Sequence, residues 1–149
     1  MSPAFPFFLI LILATVFDFA SKRIPNPLIF FGLLYGLFLS ISHFGKISVL
    51  DSILGFIVGG SVFMLPYLKG YIGAGDVKLM AVAGLYLGPY SVFMAALYTA
   101  ITGGLVVLVY MLYKRLAGAS FSQIGKVYVP YAFAISMGVS FAFFNPHFL

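Results

Sequence analysis

The sequence predicts an all-α membrane protein, a single domain over residues 1–149, with six transmembrane helices, both termini outside and a short fourth helix. Hydrophobic residues make up 63% of the chain and charged residues only 7%, whereas roughly a quarter of the residues in a soluble domain are charged. The apolar residues also form long blocks, separated by short loops that contain Gly, Pro, Lys or Arg. This arrangement is expected when lipid is the solvent.

Six apolar blocks are separated by loops, and all but the fourth reach or approach the length of about 20 residues that a membrane helix needs. In chain order they cover residues 3–20, 27–43, 49–68, 76–87, 90–113 and 128–144, with a polar loop at 120–123. The fourth block is too short to cross alone, so its helix needs tilt, a thinner bilayer or shelter by neighbouring helices.

The basic residues predict the orientation of these helices. Only Lys46 falls on one side of the membrane, while the loops after the first, third and fifth helices hold the other seven: Lys22, Arg23, Lys69, Lys78, Lys114, Arg115 and Lys126. The positive-inside rule then places these three loops in the cytoplasm and both termini outside. Without the fourth crossing the basic residues would divide evenly, so their distribution favours six crossings.

Composition also excludes several functions. The net charge of +5 is spread over the loops rather than gathered on one face, so we expect no nucleic-acid binding. The absence of cysteine excludes disulfides, thiolate zinc sites and a cysteine nucleophile.

Gly55 and Gly59 of the third helix form a pair of small residues that allows two helix backbones to approach closely. Packing within one subunit is favoured over a dimer contact, and the oligomeric state stays open.

Three acidic residues, Asp18, Asp51 and Asp76, occur in the chain. A carboxylate at the bilayer centre costs at least about 2.5 kcal/mol, so it usually faces a cavity, a partner or the interface. Asp18 ends the first helix at the unfavourable end of the helix dipole, where it either pairs with Lys22 or has a functional role. Asp51 lies on the opposite face, where it can cap the third helix or pair with Lys46.

Asp76 follows a glycine-rich loop, residues 70–75, at the start of the fourth helix. Gly73 and Gly75 permit positive φ angles and keep side-chain bulk away from the carboxylate, so an extended substrate could lie against the loop. The alternative is an Asp N-cap beside an ordinary turn. Lys78 either anchors the fourth helix at the interface, which we favour, or tunes Asp76.

The predicted topology places Asp18 and Asp76 together at the cytoplasmic interface. Two carboxylates at close range cannot both ionise freely, so they share a proton and supply an acid and a base. In peptide hydrolysis the ionised carboxylate activates water and its protonated partner stabilises the oxyanion. No metal or organic cofactor is required. His43 and His147 lie at the far interface without nearby acidic partners and are poor candidates.

With these motifs, the sequence resembles the Gly-x-Gly-Asp intramembrane aspartic proteases, and within them the type IV prepilin peptidases. The resemblance rests on the segment from Gly73 to Leu79, on Asp18 followed by Arg23-Ile24-Pro25-Asn26, and on Val129-Pro130-Tyr131 near the start of the sixth helix. It implies that Asp18 and Asp76 form the catalytic dyad. Gly73, Gly75, Lys78, Pro25 and Asn26 would shape the loop or bind substrate.

The resemblance also implies a substrate and a location. The expected substrates are prepilin-like precursors that carry a basic leader before a hydrophobic helix, cut on the cytoplasmic side of a prokaryotic inner membrane. Leader removal would permit assembly of pili or a related secretion apparatus. Larger family members carry a further cytoplasmic region with zinc-binding cysteines and methylate the new N-terminus. This chain has neither cysteines nor a long loop between its first two predicted helices, so it resembles the short, peptidase-only branch, and methyl transfer from S-adenosylmethionine is not expected.

Two other functions fit the residues alone. In a small ion- or proton-coupled transporter, Asp18 and Asp76 would bind a cation or proton at a broken helix, although such sites usually lie nearer the bilayer midplane. In a membrane assembly factor, the glycines would serve packing and the acids capping. Loss of cleavage on replacing either aspartate, or ion-dependent flux, would separate these classes.

Overall fold

The computed structural model describes residues 5–42, 47–116 and 131–144. Every secondary-structure element in these ranges is a helix, which confirms the all-α prediction: α1 (Phe5–Ser21), α2 (Asn26–Ile41), α3 (Val49–Leu68), α4 (Ala74–Leu116) and α5 (Tyr131–Phe143). Helix α3 and the Ala74–Tyr113 part of α4 are long and apolar enough to cross a membrane, and the other three are shorter apolar helices. Several features predicted above lie outside the described residues: Lys46, Lys126, His43, His147, the loop at 120–123 and the helix ends at 3–4 and 128–130.

Helix α4 contains the predicted fourth and fifth helices as two arms, 74–87 and 89–116. Between them Gly88 has φ 78° and ψ 174°, and Pro89 follows. Glycine reaches this φ without a steric penalty, and proline removes a backbone donor, so the helical hydrogen bonding is interrupted here. The predicted break is therefore confirmed. The first arm begins at Ala74, two residues before the predicted start at Asp76. Gly73, and not Asp76, is therefore the residue that precedes the helix.

The first arm of α4 is the buried centre of the fold. From residue 76 to residue 88 every side chain or glycine is buried except Lys78 and Tyr86, and a helix that is apolar all round is expected in such a position. Enclosure by other helices supplies the shelter that its short length requires.

Glycines bring the neighbouring helices close to this arm. A Cβ added at Gly55 of α3 would overlap the carbonyl oxygen of Gly84, and one at Gly59 would overlap that of Met80. On the α2 side, a Cβ at Gly32 would lie 3.0 Å from Val82. The expected packing of the Gly55 and Gly59 face within the subunit is thus confirmed, whereas the matching role of Gly32 was not predicted.

The two arms of α4 run in opposite directions. Gly88 lies beside Ile47 and Asp51 at the start of α3, while Gly103 on the second arm lies against Tyr131 at the start of α5. Further along, Gly138 of α5 is in close contact with the backbone of the second arm at Thr99. Helix α5 therefore begins at the end of the bundle where α4 began, and it runs toward the end where Gly88 lies.

Asp51 has a structural role at the start of α3. Ser48 is the N-cap, and its Oγ accepts a hydrogen bond from the Asp51 backbone N–H at 3.1 Å. The same hydroxyl donates to the Asp51 carboxylate at 2.8 Å. The N-cap of α3 is therefore Ser48, three residues before Asp51. The prediction that Asp51 caps the third helix is wrong for the N-cap itself, although the Asp51 carboxylate accepts a hydrogen bond from the capping residue.

Candidate active site

Asp18 lies in the last turn of α1 and is only 4% exposed. Its Oδ2 accepts a hydrogen bond of 3.2 Å from the backbone N–H of Ala132, in the first turn of α5. The Lys22 N–H still bonds to the Asp18 carbonyl at 2.9 Å, and Lys22 then adopts φ 54°, which ends the helix. The carboxylate is therefore held between the end of one helix and the start of another.

Asp76 is the third residue of α4 and is 8% exposed. Its Oδ2 accepts the N–H of Gly73 at 2.9 Å, and its own N–H bonds to the Gly73 carbonyl at 3.1 Å. A third-position side chain that reaches back to the N–H before the helix is one half of a capping box. The suggested N-cap position for Asp76 is wrong by three residues, but the carboxylate does satisfy a donor at the helix start.

The glycines beside Asp76 act through their lack of a side chain. Gly73 and Gly75 do not use the positive φ that glycine permits, because among the described glycines only Gly70, at φ 74°, and Gly88 have positive φ. A Cβ at Gly75 would lie 3.2 Å from the Cβ of Ile24, and one at Gly73 would lie 3.3 Å from the Asp76 carboxylate. Gly75 therefore lets the loop between α1 and α2 pack against the start of α4.

Lys78, Asn26 and Pro25 connect α2 with α4. The Lys78 ammonium donates to the Asn26 side-chain oxygen at 3.0 Å, at an exposed position. Pro25 is the N-cap of α2 and its carbonyl accepts the backbone N–H groups of residues 28 and 29. Lys78 therefore links α4 to α2 beside Asp76. This contact was not predicted, since the two roles considered were anchoring α4 at the interface and tuning Asp76.

Both aspartates line one cavity of about 520 Å³, a usual size for a ligand site, and their carboxyl groups interact electrostatically. The structure therefore brings together the two residues that the sequence had singled out. Gly73, Gly75, Asn26 and Lys78 line the cavity as well, whereas Pro25 does not. The remaining lining residues are Lys22, Arg23, Ile24, Gly70, Tyr71, Ile72, Ala74 and Tyr131.

Sequence reasoning missed the contribution of α5 to this site. Tyr131 had been noted only as part of a resemblance, and the donor from Ala132 is a backbone N–H, which no residue type reveals. It also missed Ile24 as the residue that packs on Gly75. Gly75 was the available signal, because a glycine directly before Asp76 implies that another group packs closely against it.

The arrangement is suited to acid–base chemistry. One oxygen of each carboxylate accepts a backbone N–H, which fixes its orientation, and the charge of Asp18 acts on Asp76 across the cavity that both residues line. Within the described ranges no cluster of three or more His, Cys, Asp or Glu residues could hold a metal ion. Asp51, the third carboxylate, is beside Gly88 at the opposite end of α4's first arm.

Comparison with known families gives one match. The model of the type IV leader peptidase family matches residues 5–108, which is more than half of the chain. The matched stretch contains α1, α2, α3 and both aspartates, and it ends before α5. No curated protein and no solved structure gives a significant match.

Proposed function

The chain belongs to the type IV leader peptidase family, and we propose that it is a membrane aspartic endopeptidase that uses Asp18 and Asp76. Membership makes the protein a peptidase with prepilin-like substrates. The observation that carries the aspartic mechanism is the shared cavity, in which the carboxylates of two distant segments interact. In this proposal one carboxylate takes a proton from water, and its protonated partner stabilises the oxyanion that forms at the scissile carbonyl.

Family membership and the two long apolar helices indicate a membrane protein. We propose that its single domain crosses a prokaryotic inner membrane six times, with the cavity on the cytoplasmic side. Lys22, Arg23 and Lys78 line the cavity, and clustered basic residues favour the cytoplasm. A site at this interface can reach a peptide bond between a soluble basic leader and the hydrophobic helix that follows. Removal of the leader would then permit pilus or secretion-system assembly.

Cleavage of a prepilin-like peptide by purified protein in lipid tests the dyad. Asp18→Asn and Asp76→Asn keep the shape of each side chain but remove its charge, so we expect both variants to lose leader cleavage while remaining folded. Asp51→Asn is the matched control, because Asp51 is the remaining acidic residue of the chain and its carboxylate bonds to Ser48 at the start of α3, away from the cavity. Near-normal cleavage by either dyad variant would exclude that aspartate from catalysis.

The structure gives little support to a proton- or ion-coupled transporter that uses the same two aspartates. Broken helices often build transport sites, and α4 is broken at Gly88. This break lies beside Asp51, at the other end of the arm from Asp76. The dyad therefore lies away from the break, although Asp76 belongs to the broken helix. Ion flux into vesicles containing the protein, lost on Asp76→Asn, would restore the transporter as the better function.

A further inference from the structure

We propose that the first turn of α5 is part of the catalytic centre: the Ala132 N–H positions the Asp18 carboxylate, and a hydroxyl pair, Thr15 and Ser136, sets the register of α5 on α1. This inference rests on the proposed function. It concerns a part of the chain that the family match, residues 5–108, does not reach. Thr15 and Ser136 are positioning residues, since they act on the substrate only through Asp18.

Among the residues that the structure describes, the N–H of Ala132 has no acceptor in its own helix. Ala132 is the second residue of α5, and the first four N–H groups of a helix lack intrahelical partners. Ala132 is fully buried, and its N–H donates to Asp18 Oδ2 at 3.2 Å. Buried backbone donors are almost always satisfied, so this bond holds α5 and the carboxylate in one arrangement.

Thr15 and Ser136 join the same two helices one turn away from this bond. Their hydroxyl oxygens are 2.8 Å apart. The Thr15 hydroxyl is 3.4 Å from the Ala132 carbonyl, and the Ser136 hydroxyl is 2.8 Å from it. Ser136 also reaches across to the carbonyl of Leu11 on α1, at 3.2 Å. Each hydroxyl has one proton, so these contacts are alternatives, and Thr15 also lies 2.9 Å from the carbonyl of Leu11 in its own helix. When Thr15 donates to Ser136, Ser136 can donate to the Ala132 carbonyl, and Ala132 is then linked to α1 through its carbonyl as well as through its N–H.

The position of the pair distinguishes it from general packing. The rest of the contact between α1 and α5 includes apolar and aromatic groups, such as Phe8 against Phe143. The hydrophobic effect is non-directional, so apolar contacts alone do not fix how far α5 slides along α1 or how it is rotated. The directional hydrogen bonds of the hydroxyl pair fix the position of α5 one turn from Asp18. A displacement of a catalytic group by about 1 Å can lower the rate roughly a hundredfold.

Steady-state kinetics on Thr15→Val and Ser136→Ala test this role. Both substitutions remove a hydroxyl with little change in shape, and we expect kcat to fall roughly ten- to a hundredfold with little change in KM. The double variant should be no slower than the slower single variant, because the two hydroxyls act as one unit. Thr15→Ser retains the hydroxyl and should restore most of the rate.

Thr102→Val is the matched control. The Thr102 hydroxyl also bonds to the α5 backbone, 3.3 Å from the carbonyl of Ala134, but it comes from α4 and is not connected to Asp18. We expect its kcat to equal that of the wild type. If Thr15→Val and Ser136→Ala cleave within about twofold of the wild type, or if Thr102→Val slows cleavage as much as they do, the positioning role is wrong. Failure of the dyad itself would appear separately, as cleavage by Asp18→Asn.

Amide hydrogen exchange at Ala132 gives a readout that needs no activity. The Ala132 N–H should exchange slowly in the wild type and in Thr102→Val, and faster in Asp18→Ala and Thr15→Val, because its acceptor is removed or displaced. Exchange at Ala132 that is unaffected by Asp18→Ala would show that the bond to Asp18 does not form. This measurement also decides the matter if Ser136→Ala fails to fold.

Discussion

Each candidate catalytic carboxylate accepts a backbone N–H from the first residues of a helix. Asp76 is bonded to Gly73 at the start of its own helix, and Asp18 to Ala132 at the start of α5. The N-terminal end of a helix carries partial positive charge and favours an adjacent negative group. At its own helix end Asp18 is unfavourably placed, and the start of α5 compensates for that position.

Gly75→Ala should reduce cleavage through Ile24. The added methyl would lie 3.2 Å from the Cβ of Ile24 and within 3.5 Å of two further atoms of that side chain, so the loop between α1 and α2 must move by a few tenths of an ångström. Because Asp18 and Asp76 lie on the two sides of this contact, we expect kcat to fall several-fold.

A second substitution separates this contact from other effects of Gly75→Ala. Ile24→Ala removes two of the three crowded atoms, so Gly75→Ala combined with Ile24→Ala should cleave faster than Gly75→Ala alone. Ile24→Ala by itself should be close to the wild type. The same low rate in the double variant would show that Gly75 acts through something other than the packing of Ile24.

At the level of single residues, the sequence was informative where chemistry depends on side chains. Scarcity of charge singled out Asp18 and Asp76, and the structure places both on one cavity. Ala132 could not have been predicted, because its contribution is a backbone N–H whose position depends on tertiary packing. The sequence also did not decide whether Gly73 and Gly75 serve positive φ or only space, since glycine suits both needs.

Helix α4 contains both the most buried segment of the fold and its sharpest break. The Gly88-Pro89 pair made the break predictable from sequence. Burial of the first arm by neighbouring helices was one of three predicted ways in which so short a helix could be accommodated. The sequence did not choose among them, because an apolar helix can face either lipid or other helices. The glycines of α2 and α3 at this arm supply the close approach on which the enclosure depends.

Gly84→Ala should destabilise the protein at the contact between α3 and α4. Its methyl would overlap the backbone of Gly55, which cannot move like a flexible side chain, and overpacking of a core typically costs about 1–3 kcal/mol. Gly104→Ala is the control, because its methyl would meet no atom within 4 Å. Unfolding measured in mixed detergent micelles should therefore show a loss for Gly84→Ala only. Equal stability of the two variants would contradict the close packing of these helices.

For the whole molecule, the proposed orientation predicts which side of the membrane each loop occupies. The natural chain has no cysteine, so a single introduced cysteine has no background. Lys69→Cys and Asp51→Cys place a thiol at opposite ends of α3, which is about 30 Å long. We expect an impermeant thiol reagent to label position 51 from outside intact cells and position 69 only after the membrane is opened. Labelling of position 69 from outside would reverse the orientation and move the cavity away from the cytoplasm.

The bond between Asp18 and Ala132 joins positions 114 residues apart in the chain, and this separation has a consequence in time. At a translation rate of roughly 5–20 residues per second, the ribosome adds Ala132 about 6 to 23 s after Asp18. In the proposed arrangement, a nascent chain already contains both aspartates long before it contains the donor that orients the first of them. Newly inserted protein would therefore begin to cut precursors only after α5 has been synthesised and packed.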